Sequence, residues 1–397
     1  SNVFWMPDVF GYSWALPQII KRSGMKYFFT SKLINNDDNR FPYSLFQWQG
    51  IDGTRIPAYL QRLNYNGMVA PETLQTLYQR YDQKAILDEA LMTFGYGDGG
   101  GGPTYQMLET AERLKDFPGL PKLEMTTSES YFKDADAVLS ELPVWNDEMY
   151  YEFHRGTYTS QANVKKNNRK AELLYRQAEM ASVLASAETG AAYPYDDFRK
   201  GYKKLLTNQF HDIMPGSSIH SVYVDAEKDY REIHAIGNSI LETAAKGLCG
   251  KISHAASSVV VFNFLSWERS GLVSIDVTNT AFSEAEYLQV KDSHGRICPS
   301  HVKKTESSII LSFDAVLASM AYEVFTLSEA AAPETSAVTV TAEKMGNRFY
   351  SISFDSNANL VSIYDKRSQR EVLASRSNLI KIFEDKPGGE TAWNIDL

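Results

Sequence analysis

Only two cysteines, Cys249 and Cys298, occur in 397 residues. They form no C-x-x-C pair, which argues against a thiolate zinc site. So sparse a use suits a reducing compartment better than a disulfide framework. No apolar run approaches the ~20 residues needed to span a bilayer; stretches such as VVVF at 259–262 are far shorter. Positive charge is in deficit, with 40 Lys and Arg against 49 Asp and Glu and a net charge of −9. That balance argues against nucleic acid and against an anionic membrane surface as partners. H-E-x-x-H, His-x-Asp and G-x-S-x-G are all missing. Their absence removes the zincin pair and the serine elbow of the α/β-hydrolases.

What is present describes a globular chain. The hydrophobic fraction is 43% and the charged fraction 22%, both ordinary for folded proteins. The length suits two or three domains. Residues 1–127 mix short strands and helices. A helix is expected over 14–22, strands over 27–30, 44–49, 56–63, 90–94 and 123–126, and further helices over 71–83 and 104–114. Such alternation predicts an α/β layer with a partial, largely parallel sheet. Residues 128–250 are helical in pattern: Ala171, Leu174, Ala178, Ala181 and Ala185 recur every three or four positions, and two similar stripes follow. A three-helix bundle is expected there, with Gly190 and Gly247 as stops. Residues 251–397 alternate with period two and predict an antiparallel β-sandwich-like domain. The stretch 329–336 reads as an exposed connection.

Three segments could carry chemistry. Asp8 follows an apolar run and Pro7, and an acid at the carboxyl mouth of a strand lies where α/β ligands bind. The bland alternative is a cap for the next helix. Asp98 precedes four consecutive glycines, 99–102. Glycine loses the most freedom on folding, so the run suggests close backbone approach or unusual dihedrals; a flexible turn is the alternative. It lacks the Lys-Ser/Thr of a P-loop. His211 and Asp212 end a helical stretch just before Pro215-Gly216. Two acids and a histidine suit glycoside cleavage or a carboxylate–histidine metal site.

Longer motifs sharpen this. The segments FWMPDVFGYSWALPQ (4–18), FGYGDGGGGP (94–103), HRGTYTSQ (154–161), NQFHDIMPGSS (208–218) and FNFLSW (262–267) stand in that order. Together they resemble the family 38 glycoside hydrolases, the retaining α-mannosidases, in their cytosolic and bacterial branch. The resemblance implies that Asp8 is both nucleophile and zinc ligand and that His211 is a second zinc ligand. It implies that Asp98 is the general acid/base, although some branches carry two adjacent acids where this chain has one. Asp212 would bind mannose hydroxyls, Phe10 would line the sugar pocket, and Tyr158 and Gln161 would lie in a segment facing the site.

The family takes two more zinc ligands from a His-x-Asp pair upstream of the nucleophile segment. Ser1 opens almost directly onto an apolar segment, and Trp393–Leu397 has no tail character. The chain is therefore expected to be cut at both ends and, alone, weak or inactive. The expected activity is release of terminal α-linked mannose from oligosaccharides with Zn2+, or another divalent metal such as Co2+, in the cytoplasm. A homo-oligomer is compatible with this reading. The rivals are a non-catalytic mannose-binding protein and another zinc-dependent hydrolase such as a deacetylase.

Overall fold

The computed structural model describes residues 1–331, 338–386 and 388–395. Most of the 329–336 connection lies outside them. The chain divides into two compact units. The first comprises residues 1–162, 211–218 and 386–397; the second comprises residues 163–210 and 219–385.

The first unit is built on a five-stranded mixed sheet. Its strands are β1 (Val3–Trp5), β2 (Tyr27–Thr30), β3 (Leu45–Gln49), β4 (Arg55–Leu60) and β5 (Val144–Trp145), in the order β1-β2-β4-β3-β5. Neighbours β1/β2, β2/β4 and β3/β5 run parallel, and β3/β4 is an antiparallel hairpin turned at Asp52-Gly53. The expected parallel character therefore holds for three of the four pairings. Successive side chains of a strand point to opposite faces, and here both faces are covered. Phe28, Phe46, Trp48, Ile56, Ala58 and Leu60 fill one core, with Ile20 of helix α1 (Leu16–Arg22). Tyr27, Phe29, Leu45 and Tyr59 fill the other. Against this second face packs the helix Ser128–Ala137, through Tyr131, Phe132 and Ala135. The sequence pattern groups that helix with the helical zone 128–250; it covers the first sheet instead.

Two expected strands do not form. Residues 90–94 are irregular because side chains and a turn take up their backbone groups. The Tyr59 hydroxyl donates to the Leu91 carbonyl, and the Gln61 side chain accepts from the Thr93 N–H. Residues 123–126 are also irregular and mostly exposed; Leu123 packs with Val69, Leu74, Ala111 and Leu114 under two helices rather than beside a strand.

The second unit begins with three helices, Ala162–Thr189, Tyr195–Asn208 and His220–Cys249, of which all but Ala162 lie in this unit. Gly190 ends the first with a φ of +74°, while Gly247 does not stop the third, which runs on to Cys249. Three antiparallel sheets follow. Two of them share a core of Val290, Leu311, Phe313, Phe325 and Leu327, as the sandwich reading expects. Cys249 and Cys298 are both free.

Where the helices meet, glycine is needed for space. A Cβ on Gly201 would lie 1.8 Å from the buried Tyr175 hydroxyl oxygen, which donates to the Ile233 carbonyl at 3.0 Å. Alanine gains ~1 kcal/mol of helix propensity over glycine, but overpacking costs ~1–3 kcal/mol. Because the clash falls on an anchored hydroxyl, the second effect should win. Gly201→Ala is expected to lower stability in urea unfolding, with part of the loss recovered in the Gly201→Ala, Tyr175→Phe pair. A single variant as stable as the parent would contradict this packing.

Candidate active site

Three parallel strands deliver their carboxyl ends to one place. Asp8 lies three residues beyond β1, Lys32 two beyond β2 and Tyr65 five beyond β4. This is the mouth where α/β sheets place ligands. The turn after β1 is held by the Pro7 carbonyl, which accepts from the Ser31 hydroxyl at 2.8 Å. The turn after β4 is organised by buried Gln61. Its amide donates to the carbonyls of Leu63 and Asn64 and accepts from Thr93, whose hydroxyl donates to the Tyr65 carbonyl at 3.0 Å.

These turns bring the two expected acids together around a residue the sequence did not single out. The Tyr65 hydroxyl lies 2.6 Å from Oδ2 of Asp8 and 2.7 Å from Oδ1 of Asp98. The Asn66 amide donates to the same Asp98 oxygen at 2.8 Å. Lys32 Nζ pairs with Oδ1 of Asp8 at 2.7 Å and sits 4.9 Å from the centre of the Phe10 ring. Hydrogen bonds from Tyr65 and Asn66 hold the Asp98 carboxyl below the usual carboxylate range. Burial, reinforced by the two acids, pushes the Tyr65 hydroxyl well above its ordinary value.

The glycine run turns out to be shaped around Asp98. Gly97 and Gly100 have φ of +54° and +89°, and Gly97 bridges Gly101 across the tight turn. A Cβ on Gly97 would lie 1.6 Å from Oδ1 of Asn66. Glycine at 97 thus leaves room for the side chain that donates to Asp98.

His211 and Asp212 belong to the same unit as Asp8 and Asp98. His211 Nε2 lies 3.4 Å from Asp212 Oδ2, and the Ser217 hydroxyl donates to Oδ1 of Asp212 at 3.1 Å. Tyr158 is exposed and stacks on Tyr150. Gln161 adopts a left-handed φ of +52°. Among the described residues, no group of three or more His, Cys, Asp or Glu could hold a metal ion. Donors already engage both Asp8 oxygens, and a Lys32 ammonium competes with any cation for one of them. Asp8 and His211 alone supply two of the four donors that the family resemblance implies for zinc.

Lys32, Tyr65 and Asn66 carry no motif of their own in the sequence, whereas Asp8 stands out by the strand-mouth rule. The same rule, applied to the ends of β2 and β4, points to all three.

Three family models match the chain in order. They are the N-terminal domain of glycosyl hydrolases family 38 over residues 1–148, the alpha mannosidase middle domain over 152–248, and the family 38 C-terminal domain over 345–397. The chain belongs to glycosyl hydrolase family 38. It is 31% identical to alpha-mannosidase 2C1 of Homo sapiens, over 99% of this chain and 36% of that protein. It is 29% identical to alpha-mannosidase G of Dictyostelium discoideum, over 99% of this chain and 39% of that protein. The chain thus spans less than half the length of these family 38 relatives. Its fold matches a crystal structure of an alpha-mannosidase from Enterococcus faecalis with a TM-score of 0.62 at 17% identity, over 94% of this chain and 48% of that one.

Beside the mouth, Glu152 is buried and anchors the 36–39 loop. It accepts from the Asn39 amide at 2.5 Å and from the backbone N–H groups of Asp38 and Asn39 at 2.7 and 3.0 Å. Burial favours its neutral form, but these donors and Arg155 outweigh burial and hold the carboxyl below its usual range. An unfolded Glu takes up its proton near pH ~4.3. The stabilisation is therefore complete above that value and is lost as pH falls through it toward the lower folded value. Glu152→Gln should cost about 1–3 kcal/mol at neutral pH, as expected for a broken charged hydrogen-bond cluster, and should flatten the acid limb of a stability–pH curve. An unchanged acid limb would contradict the assignment. Zn2+ should bind this chain weakly and leave on dialysis; near-stoichiometric zinc retained in elemental analysis would contradict the donor geometry.

Proposed function

We propose that this chain forms the catalytic centre of a retaining α-mannosidase that releases terminal α-linked mannose from oligosaccharides. The observation that carries the reading is the single phenol oxygen within hydrogen-bond reach of both Asp8 and Asp98. That bridge keeps the nearest carboxyl oxygens within about the 5–5.5 Å used in double displacement, whereas inverting enzymes leave ~6.5–9.5 Å for a water. Family membership supports the substrate class, and the human and Dictyostelium relatives carry the alpha-mannosidase name over nearly the whole of this chain.

In this reading Asp8 attacks the anomeric carbon and forms a glycosyl ester. Lys32 and Tyr65 hold its two oxygens, and each carboxylate oxygen keeps a further lone pair for attack. Asp98 gives its proton to the leaving oxygen, then takes one from the water that cleaves the ester, so the configuration is retained. The free Asp98 is held ionised by Tyr65 and Asn66. Its acid role requires the incoming substrate to displace these donors, which frees the carboxyl to carry a proton. Zn2+ on Asp8 and His211 would need further donors, so no step is routed through it. Phe10 and Asp212 are proposed to meet the sugar. Cytoplasmic location is the accompanying proposal, and no helix among the described residues is long and apolar enough to cross a membrane.

The test is turnover of an aryl α-mannoside by the full-length protein, with the product anomer read by NMR. Retained α-mannose is expected. Asp8→Ala and Asp98→Asn should each lose at least ~10²-fold in rate, the lower end of what acid/base groups supply. Full activity in Asp98→Asn would place the acid elsewhere. Mannose binding without turnover, or release of acetate from an acetylated sugar, would favour one of the two rivals.

A further inference from the structure

The HRGTYTSQ motif has no catalytic side chain in the reading above, yet it holds a distant piece of chain against the mouth. Residues from 388 to 395 belong to the first unit although they follow the β-rich region in sequence. Gly156 N–H donates to the Trp393 carbonyl at 2.8 Å. The Ser160 hydroxyl donates to the Ala392 carbonyl at 3.1 Å, and the Asn394 amide donates to Asp37 at 2.9 Å. A Cβ on Gly156 would come within 3.1 Å of the carbonyl oxygens of Ala392, Trp393 and Asn394 at once. The backbone of Gly156 thus serves as a close seat, where an added side chain would press on three carbonyls of the strap.

The seated strap carries an indole to the site. The Trp393 ring meets Phe10 edge-on, with centroids 5.2 Å apart, and meets His154 at 5.1 Å. Phe10 in turn lies under Lys32, which pairs with Asp8. Trp393 is partly exposed, so the ring keeps a surface not consumed by packing. Carbohydrate sites join a few placed polar groups to aromatic walls, and a pyranose offers such a wall the apolar face of its C–H bonds. Asp8, Tyr65 and Asp98 supply the polar side of this mouth.

We infer that Trp393, seated on Gly156, is a specificity-determining residue that forms, with Phe10, the aromatic wall for the sugar bound at Asp8. This rests on the mannosidase reading. Its role is in binding: the indole holds the sugar in ground state and transition state alike, so its loss raises KM and spares kcat.

The experiment uses the full-length protein, an aryl α-mannoside as substrate and methyl α-mannoside as a competitive inhibitor without an aryl ring. Trp393→Ala should raise KM and the inhibition constant by about tenfold, near the upper end of what an aromatic contact supplies, with kcat within about twofold. Trp393→Phe should recover most of both constants. Gly156→Ala should shift them as Trp393→Ala does, because it lifts the strap. Unchanged constants in Trp393→Ala, with the parent active, would overturn this inference alone. So would a rise in KM with an unchanged inhibition constant, which would put the indole on the leaving group. A parent protein that does not turn over the mannoside would sink the mannosidase reading and this inference with it.

Discussion

The Tyr65 hydroxyl has one proton and two carboxylates within 2.7 Å. It can donate to only one of them at a time, so the other must share that proton or bring its own. The surroundings of the two acids also differ: Asp8 pairs with the Lys32 ammonium through its far oxygen, whereas Asp98 accepts from the Asn66 amide. Two acids in one small mouth thereby keep different neighbours, which suits a nucleophile and an acid/base group working on one glycosidic bond. The proposed chemistry depends on this asymmetry.

The asymmetry rests on backbone placement. Tyr65 reaches the acids because buried Gln61 ties its turn to Thr93. Asp98 reaches Tyr65 because glycines let the chain reverse within five residues. The sheet beneath is packed on both faces by large side chains, including Phe28, Phe46, Trp48 and Tyr59, that are wholly buried. Close-packed interiors of this kind resist small displacements, and hydrogen bonds of 2.6–2.7 Å tolerate little drift. The strap on Gly156 extends the same logic, since carbonyls packed within 3.1 Å of where a Cβ would stand help fix the position of the neighbouring ring.

Much of the architecture was legible. The strands expected over 44–49 and 56–63, turned at Asp52-Gly53, form the hairpin, with the second ending at Leu60, and the apolar stripe from Ala171 to Ala185 marks the helix Ala162–Thr189. The misread stretches, 90–94 and 123–126, share one cause. Each is apolar enough for a strand, but hydrophobicity does not say whether a neighbouring strand edge is open. Gln61, Tyr59 and the helical cover claimed the first, and the helices above Leu123 claimed the second. Helix Ser128–Ala137 joined the sheet for the same kind of reason: its amphipathic face fits either partner, and only the position of Tyr131 and Phe132 over β2 and β4 decides it.

The sequence by itself determined most element types, the order of the family motifs and the candidacy of Asp8 and Asp98. These are local properties, set by periodicity, by proline and glycine, and by an acid at the end of a strand. The tertiary structure decided which side chains meet those acids. Lys32, Tyr65, Asn66 and Trp393 lie 24 to 385 positions from Asp8, and no local pattern brings them together. Parallel strands aligned their carboxyl ends, a buried glutamine fixed one turn, and a glycine seat received the strap. Spacing along the chain records none of these long-range packing choices.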